Sequence, residues 1–150
     1  MRYMLYETDE AKVPLEKETE YIQSYIDLQQ QRFGKNVKVC TSFNNIGNGD
    51  EIEPMLLIPF VENAFKHGVS ETRFESFINI DISVKNSRLS FEIENSFEAS
   101  PGENKKVNIG LINTRRQLEL TYREYNLDIK STNNIFTVNL FINLDSYAEI

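Results

Sequence analysis

Apolar residues recur along the 150-residue chain at two spacings, and the switches between them mark out its elements. From Leu15 to Phe33 the spacing is helical: Leu15, Ile22, Ile26 and Phe33, joined by Tyr21, Tyr25 and Leu28, form one stripe. Pro14 suits the start of this helix and Gly34 its end. Glu16, Glu18 and Glu20 fall near the positive end of the helix dipole, where acidic side chains are favourable. Val37, Val39, Thr41 and Phe43 alternate, which predicts a strand over 36–43. NNIGNGDE then reads as a polar loop. From Glu53 to His67, Leu56, Leu57, Phe60, Val61, Ala64 and Phe65 return to three- and four-residue steps. This second helix tolerates Pro59 near its first turns and stops at Gly68.

The second half is mostly alternating. Ile78, Ile80, Ile82 and Val84, the turn KNSR, then Leu89, Phe91 and Ile93 predict a hairpin. Residues 96–108 have no periodicity and hold Pro101, Gly102 and two lysines, which predicts a long loop of the functional or mobile kind. Gly110 opens a third helix with Leu111, Arg115, Leu118 and Tyr122 along one side, and strands at 127–130 and 136–142 follow, with STNN between them. Residues 1–13 are short and mixed, either the tail of a longer helix or a frayed terminus. The order α-β-α-β-β-loop-α-β-β predicts an α+β domain, an α/β sandwich. Its mixed, mainly antiparallel sheet has about five strands and is covered on one face by about three helices.

Composition narrows the chemistry. A length of 150 residues suits a single domain, and 40% hydrophobic with 26% charged residues fits a globular chain. A formal charge of -7 argues against a nucleic-acid partner, although a local constellation can still bind phosphate. One Cys and one His argue against a disulfide framework and a structural zinc site. The chain shows no signal peptide and no apolar run of about 20 residues, so a cytoplasmic compartment is expected, with any membrane attachment outside these residues.

Three groups carry candidate chemistry. Glu62, Asn63, Lys66 and His67 are expected on one polar face of the second helix. There an amide oxygen suits Mg²⁺ and an ammonium suits phosphate, or the face is simply solvated. Gly110 and Leu111 open a helix whose free N–H groups would hold phosphate, with Lys105 and Lys106 nearby, or they form a plain turn. Asn95, at a strand end, is placed to bond a base edge, or merely starts a turn. The chain has no G-x-S-x-G turn, P-loop or dinucleotide G-x-G-x-x-G.

The order of these groups is more specific than any one of them. PMLLIPFVENAFKHG, a hairpin, a loop and NIGLINTRRQLELTY resemble the ATP-binding catalytic domain of LytS-like sensor histidine kinases. These belong to the GHKL superfamily shared with gyrase and MutL. VPLEKETEYIQSYIDLQQQRFG resembles the segment such kinases carry between the phosphoacceptor helix and the ATP domain. The resemblance divides the chain into a leading segment, 1–34, and an ATP-binding part, 35–150. It implies that Asn63 ligates nucleotide-bound Mg²⁺ and that Lys66 and His67 face the phosphates and nucleotide. It further implies that 96–108 is an ATP lid and that Gly110 and Leu111 form the second glycine box. Glu62 stands where it would polarise an attacking group, whereas gyrase-like ATPases carry their base at the position of Pro59. Where the superfamily has D-x-G-x-G, this chain reads Asn95-Ser96-Phe97-Glu98-Ala99, which keeps a carbonyl acceptor but loses the charge. Asn108 stands where a Gly is usual, and Gln117 where an Arg often is.

The resemblance implies ATP and Mg²⁺ as cofactors and transfer of the γ-phosphate to a histidine on a dimerisation region outside this chain. A downstream response regulator, a homodimer in the full-length protein and a bacterial inner-membrane location for the whole are also implied. A degenerate, non-catalytic module signalling through protein contacts is the alternative, and a hydrolytic clamp is disfavoured by Pro59. With the lone His67 committed to the nucleotide face, the chain is expected to be a fragment that binds nucleotide without autophosphorylating.

Overall fold

The structure, a computed structural model, describes residues 12–68, 76–97 and 104–147, with residues 104–110 described by their backbone. In chain order the elements are β1 (Val13–Pro14), α1 (Leu15–Phe33), β2 (Val37–Asn44), β3 (Glu51–Ile52), α2 (Ile58–Gly68), β4 (Ser76–Lys85), β5 (Arg88–Ser96), α3 (Asn104–Thr121), β6 (Tyr125–Thr132) and β7 (Ile135–Asn143). The main sheet runs β2-β4-β5-β7-β6. β2 and β4 are parallel, a pairing that needs the crossover containing α2, and the other neighbours are antiparallel. β1 and β3 form a separate antiparallel pair.

Alternation decides which sheet face is covered. Ile78, Ile80, Ile82 and Val84 of β4, Leu89, Phe91 and Ile93 of β5, and Phe136, Val138, Leu140 and Ile142 of β7 are all buried. They meet in register, with Ile82 opposite Phe91 and Phe91 opposite Leu140. The helices lie on this face: α2 contacts β4, β5, α1 and α3, and the Phe60 ring lies 5.7 Å from that of Phe91. Asp81, Ser90, Glu92 and Phe141 of the other face are exposed. The expected α+β sandwich of five strands and three helices is what forms.

Both tight hairpins are closed by two residues with positive φ: Asn86 (52°) with Ser87 (60°), and Asn133 (53°) with Asn134 (63°). This left-handed pair matches the twist of the flanking strands, and Asn tolerates it better than most side chains.

Four local expectations change. α2 begins at Ile58, not near Glu53, because Met55 takes a left-handed φ of 62° in the preceding turn; Pro59 thus occupies the first turn, where it costs little. α3 begins at Asn104, so the loop expected over 96–108 ends before that residue. Gly110 is its seventh residue: a glycine inside a helix costs only about 1 kcal/mol, and so does not mark a start. On α3, Thr114 is buried while Arg115 is exposed, so the inward line is Leu111, Thr114 and Leu118, with Tyr122 just past the helix end. On α1, Leu28 is 62% exposed, outside the expected stripe, while Glu18 lies in the first turn as expected and is in addition fully buried.

Candidate functional site

α2 turns its apolar side, Phe60, Val61, Ala64 and Phe65, into the core, which leaves Glu62, Asn63, Lys66 and His67 on the remaining arc. At about 100° per residue this arc divides in two. Glu62 and Lys66 lie about 40° apart, and Asn63 and His67 form a second pair turned about 100° from the first. The structure separates the pairs accordingly. Glu62 and Lys66 are exposed and face α1, whereas Asn63 and His67 are half-buried and stand outside the α1 groove. The single polar face expected from spacing is therefore two adjoining surfaces.

The α1-facing surface is one wall of a cavity of about 290 Å³, formed with Phe65. Tyr25, Gln29, Arg32 and Phe33 of α1 form the other wall. Phe65 organises the aromatic part, meeting Tyr25 edge-on at 5.7 Å and stacking with Phe33 at 6.5 Å. The Arg32 guanidinium, which also lines the groove, lies 5.3 Å from the centre of the Phe33 ring in a cation–π arrangement. Burial raises the Tyr25 hydroxyl above its ordinary pKa, the Glu62 carboxylate raises it further, and Arg32 pulls it back. Tyr21 is raised by burial and then by Glu62 and Glu18.

At its C-terminal end α2 meets the end of β5. A Cβ on Gly68 would lie 2.9 Å from both Asn95 Cγ and the Ser96 carbonyl oxygen, so only glycine permits this approach. Asn95 is 3% exposed, and its Nδ2 donates to the Ser96 carbonyl at 2.8 Å. Ser96 Oγ accepts from the Phe77 N–H at 3.1 Å, which fixes this strand end against β4. Asn95, predicted from its place at a strand end, is thereby brought to the end of the helix that carries Asn63 and His67.

Helix α3 places the third group differently from expectation. The first four N–H groups of a helix are free, and here they belong to residues 104–107, not to Gly110 and Leu111. Leu111 is 3% exposed and belongs to the core. The side chain of Lys105 and the surroundings of Gly110 lie outside the described residues, as do residues 98–103 of the expected lid.

Sequence reasoning overlooked a buried polar junction at the start of α1. Glu18 Oε2 accepts the Met55 N–H at 3.0 Å, while Oε1 is buried with no hydrogen-bond partner among the described residues. Burial pushes the Glu18 carboxyl up to about 8, against the pull of hydrogen bonds from the Met55 and Leu56 backbone and with a further push from Glu53. Tyr122 Oη accepts the Glu53 N–H at 3.1 Å, and Tyr147 Oη donates to Glu53 Oε2 at 3.0 Å. Burial first, and then the Glu53 charge, raise the Tyr122 hydroxyl. Helical spacing offered a hint: Glu18 shares the inward face with Leu15, Ile22 and Ile26.

The described residues hold no cluster of three or more His, Cys, Asp or Glu side chains able to grip a metal, and no helix among them is long and apolar enough to cross a membrane. Among the polar residues of α2, Asn63 carries the amide oxygen that could hold a metal. That suits Mg²⁺, which takes few protein oxygens and completes its shell with phosphates and water.

Comparison with known proteins agrees with the geometry. A family model described as histidine kinase matches residues 1–37. Sensor protein LytS of Oceanobacillus iheyensis is 32% identical over 90 residues, covering 60% of this chain and 15% of that protein. Sensor histidine kinase YpdA of Escherichia coli is 26% identical over 135 residues, covering 83% of this chain and 23% of that protein. The chain thus spans less than a quarter of the length of either relative. Among solved structures, the catalytic domain of histidine kinase ThkA superposes with a TM-score of 0.63 at 15% identity, over 87% of this chain and 94% of that one. The chain has the fold of a histidine kinase catalytic domain and is related in sequence to the LytS-type sensor kinases.

Proposed function

We propose that this chain is the ATP-binding catalytic part of a sensor histidine kinase, binding Mg²⁺-ATP beside α2 and donating its γ-phosphate to a histidine outside these residues. The observation that carries this reading is the Gly68 contact, which brings the buried amide of Asn95 to the C-terminal end of α2, the helix that carries Asn63 and His67. Asn95 Nδ2 is engaged by Ser96, so its Oδ1 is the acceptor for an adenine amino group. Asn63 offers its amide oxygen to the metal, and His67 and Lys66 border the phosphates. The helix-start N–H groups of residues 104–107 add a positive end for the same anion. Mg²⁺, when bound, neutralises phosphate charge; the protein supplies position and electrostatics, the main requirements of phosphoryl transfer. The dimerisation region that bears the histidine, a homodimer, a membrane-anchored whole and a downstream response regulator complete the proposal.

Calorimetric titration with ATP, with and without Mg²⁺, tests it. The wild type is expected to bind more tightly with the metal, and Asn63→Ala to lose at least about tenfold of that metal-dependent affinity. Equal metal dependence in both proteins would remove Asn63 from the site. No binding at millimolar nucleotide would favour the non-catalytic module, the reading motivated by the neutral Asn95 where the superfamily carries an acid.

A further inference from the structure

The groove between α1 and α2 shares only Lys66 with the nucleotide site proposed above, and it combines three chemistries in one cavity. Arg32 brings a permanent cation, stacked on Phe33. Glu62 brings a carboxylate close enough to Tyr25 for its charge to act on the phenol. Tyr25 and Phe33, each packed on Phe65, give it aromatic walls. A cavity of about 290 Å³ is at the small end of the range for ligand sites. The occupant that matches is a small, flat, weakly basic ring with one N–H, approaching a phosphate. Aromatic edges pack the ring, a carboxylate accepts its N–H, and a guanidinium holds phosphoryl oxygens. The groove also adjoins Asn63 on the arc of α2, so an occupant would stand beside the nucleotide phosphates.

We propose that this groove is the acceptor pocket for the phosphotransfer described above, on which the inference rests: it seats the imidazole of the histidine to be phosphorylated, Glu62 takes the ring proton, and Arg32 holds the moving phosphoryl group. One ring nitrogen uses its lone pair to form the P–N bond to the γ-phosphorus. The P–O bond to the β-phosphate breaks, and ADP leaves with that electron pair. The proton on the other ring nitrogen passes to the Glu62 carboxylate, which leaves a neutral phosphorylated ring. Tyr25 is a positioning residue that closes one side of the ring's seat.

The reverse reaction tests this on the 150-residue chain itself. Phosphoimidazole and Mg²⁺-ADP should give ATP and imidazole, with Glu62 returning the proton as the P–N bond breaks; a luciferase assay reads the ATP. Arg32→Ala is expected to raise the KM for phosphoimidazole at least about tenfold, with Arg32→Lys recovering part of the loss. Glu62→Gln is expected to lower kcat about 100-fold with KM within about threefold. Both side chains are exposed, and ADP affinity by calorimetry should stay within about twofold in each variant. Kinetic constants equal to wild type in Arg32→Ala and Glu62→Gln would overturn the pocket, as would wild type that binds ADP yet makes ATP no faster than the enzyme-free mixture. A wild type that binds no ADP would instead overturn the nucleotide reading and the pocket with it.

Discussion

Glu18 and Glu62 are both glutamates at the packing of α1 with the segment that leads into and forms α2, yet they live in opposite environments. Glu18 is sealed in the junction of α1 with the Met55 turn, fully buried, one oxygen bonded to a backbone N–H and the other without a partner among the described residues. Glu62 is exposed and lines a cavity that the Arg32 guanidinium also lines. The first has lost its water without gaining a cation, so its acidity is weakened; the second keeps its solvation and remains available to a ligand. A carboxylate's role thus follows from what replaces the water around it, not from its position on a helix.

The largest effect that would break this contrast is on the pH dependence of stability. The folded pKa of Glu18, about 8, lies above the ordinary 4.5, so the folded state binds more protons than the unfolded chain between these values. Stability from this group is therefore fully present below about pH 4.5 and is lost as pH rises through 8. The shift corresponds to a loss on the order of 4–5 kcal/mol across that window. Glu18→Gln should flatten the profile measured by urea unfolding between pH 5 and 9, and should be more stable than wild type at pH 9. A profile as steep as wild type would show that other groups cause it.

A smaller effect is expected at the other end of α2. Gly68→Ala must push its new Cβ against Asn95 and the Ser96 carbonyl, at a cost of about 1–3 kcal/mol in thermal or urea unfolding. It should weaken ATP binding as well, because the same contact seats Asn95. Unchanged binding with lowered stability would separate the packing role from the nucleotide role.

The smallest expected effect sharpens the contrast from the exposed side. Glu62→Gln should change unfolding free energy by no more than about 0.5 kcal/mol at pH 7, as a solvated position does. A loss above about 2 kcal/mol would make Glu62 a structural residue like Glu18 and take away its place as a groove acid.

How far these features were legible depends on the range of the contact that made each. The hairpins were readable because alternation fixes a face, and because the tight turns at KNSR and STNN hold side chains that tolerate left-handed backbone. Asn63, His67 and Asn95 stand out by residue type and order, and the Gly68 approach brings Asn95 to the end of the helix that bears the other two. The start of α3 was misplaced because a glycine was read as a boundary, although a helix tolerates one inside. The four polar residues of α2 read as one face from spacing, which gives their angles but not where α1 lies against them. Tyr25 is legible only as part of the α1 stripe, and Arg32 not at all, because a tyrosine and an arginine on a helix have no local signature of a groove.

The sequence by itself determined the order of the three helices and the five main-sheet strands, the buried side of the hairpin strands and the hairpin turns, since all of these arise from local sterics and the period of apolar residues. Only the tertiary structure decided that β2 joins β4 in parallel, that Glu18 loses its water to the Met55 turn, and that α1 meets α2 along Glu62 and Lys66. Strand order, desolvation and cavities depend on which distant surfaces meet. That is set by the summed burial of the whole core, not by any stretch of residues within it.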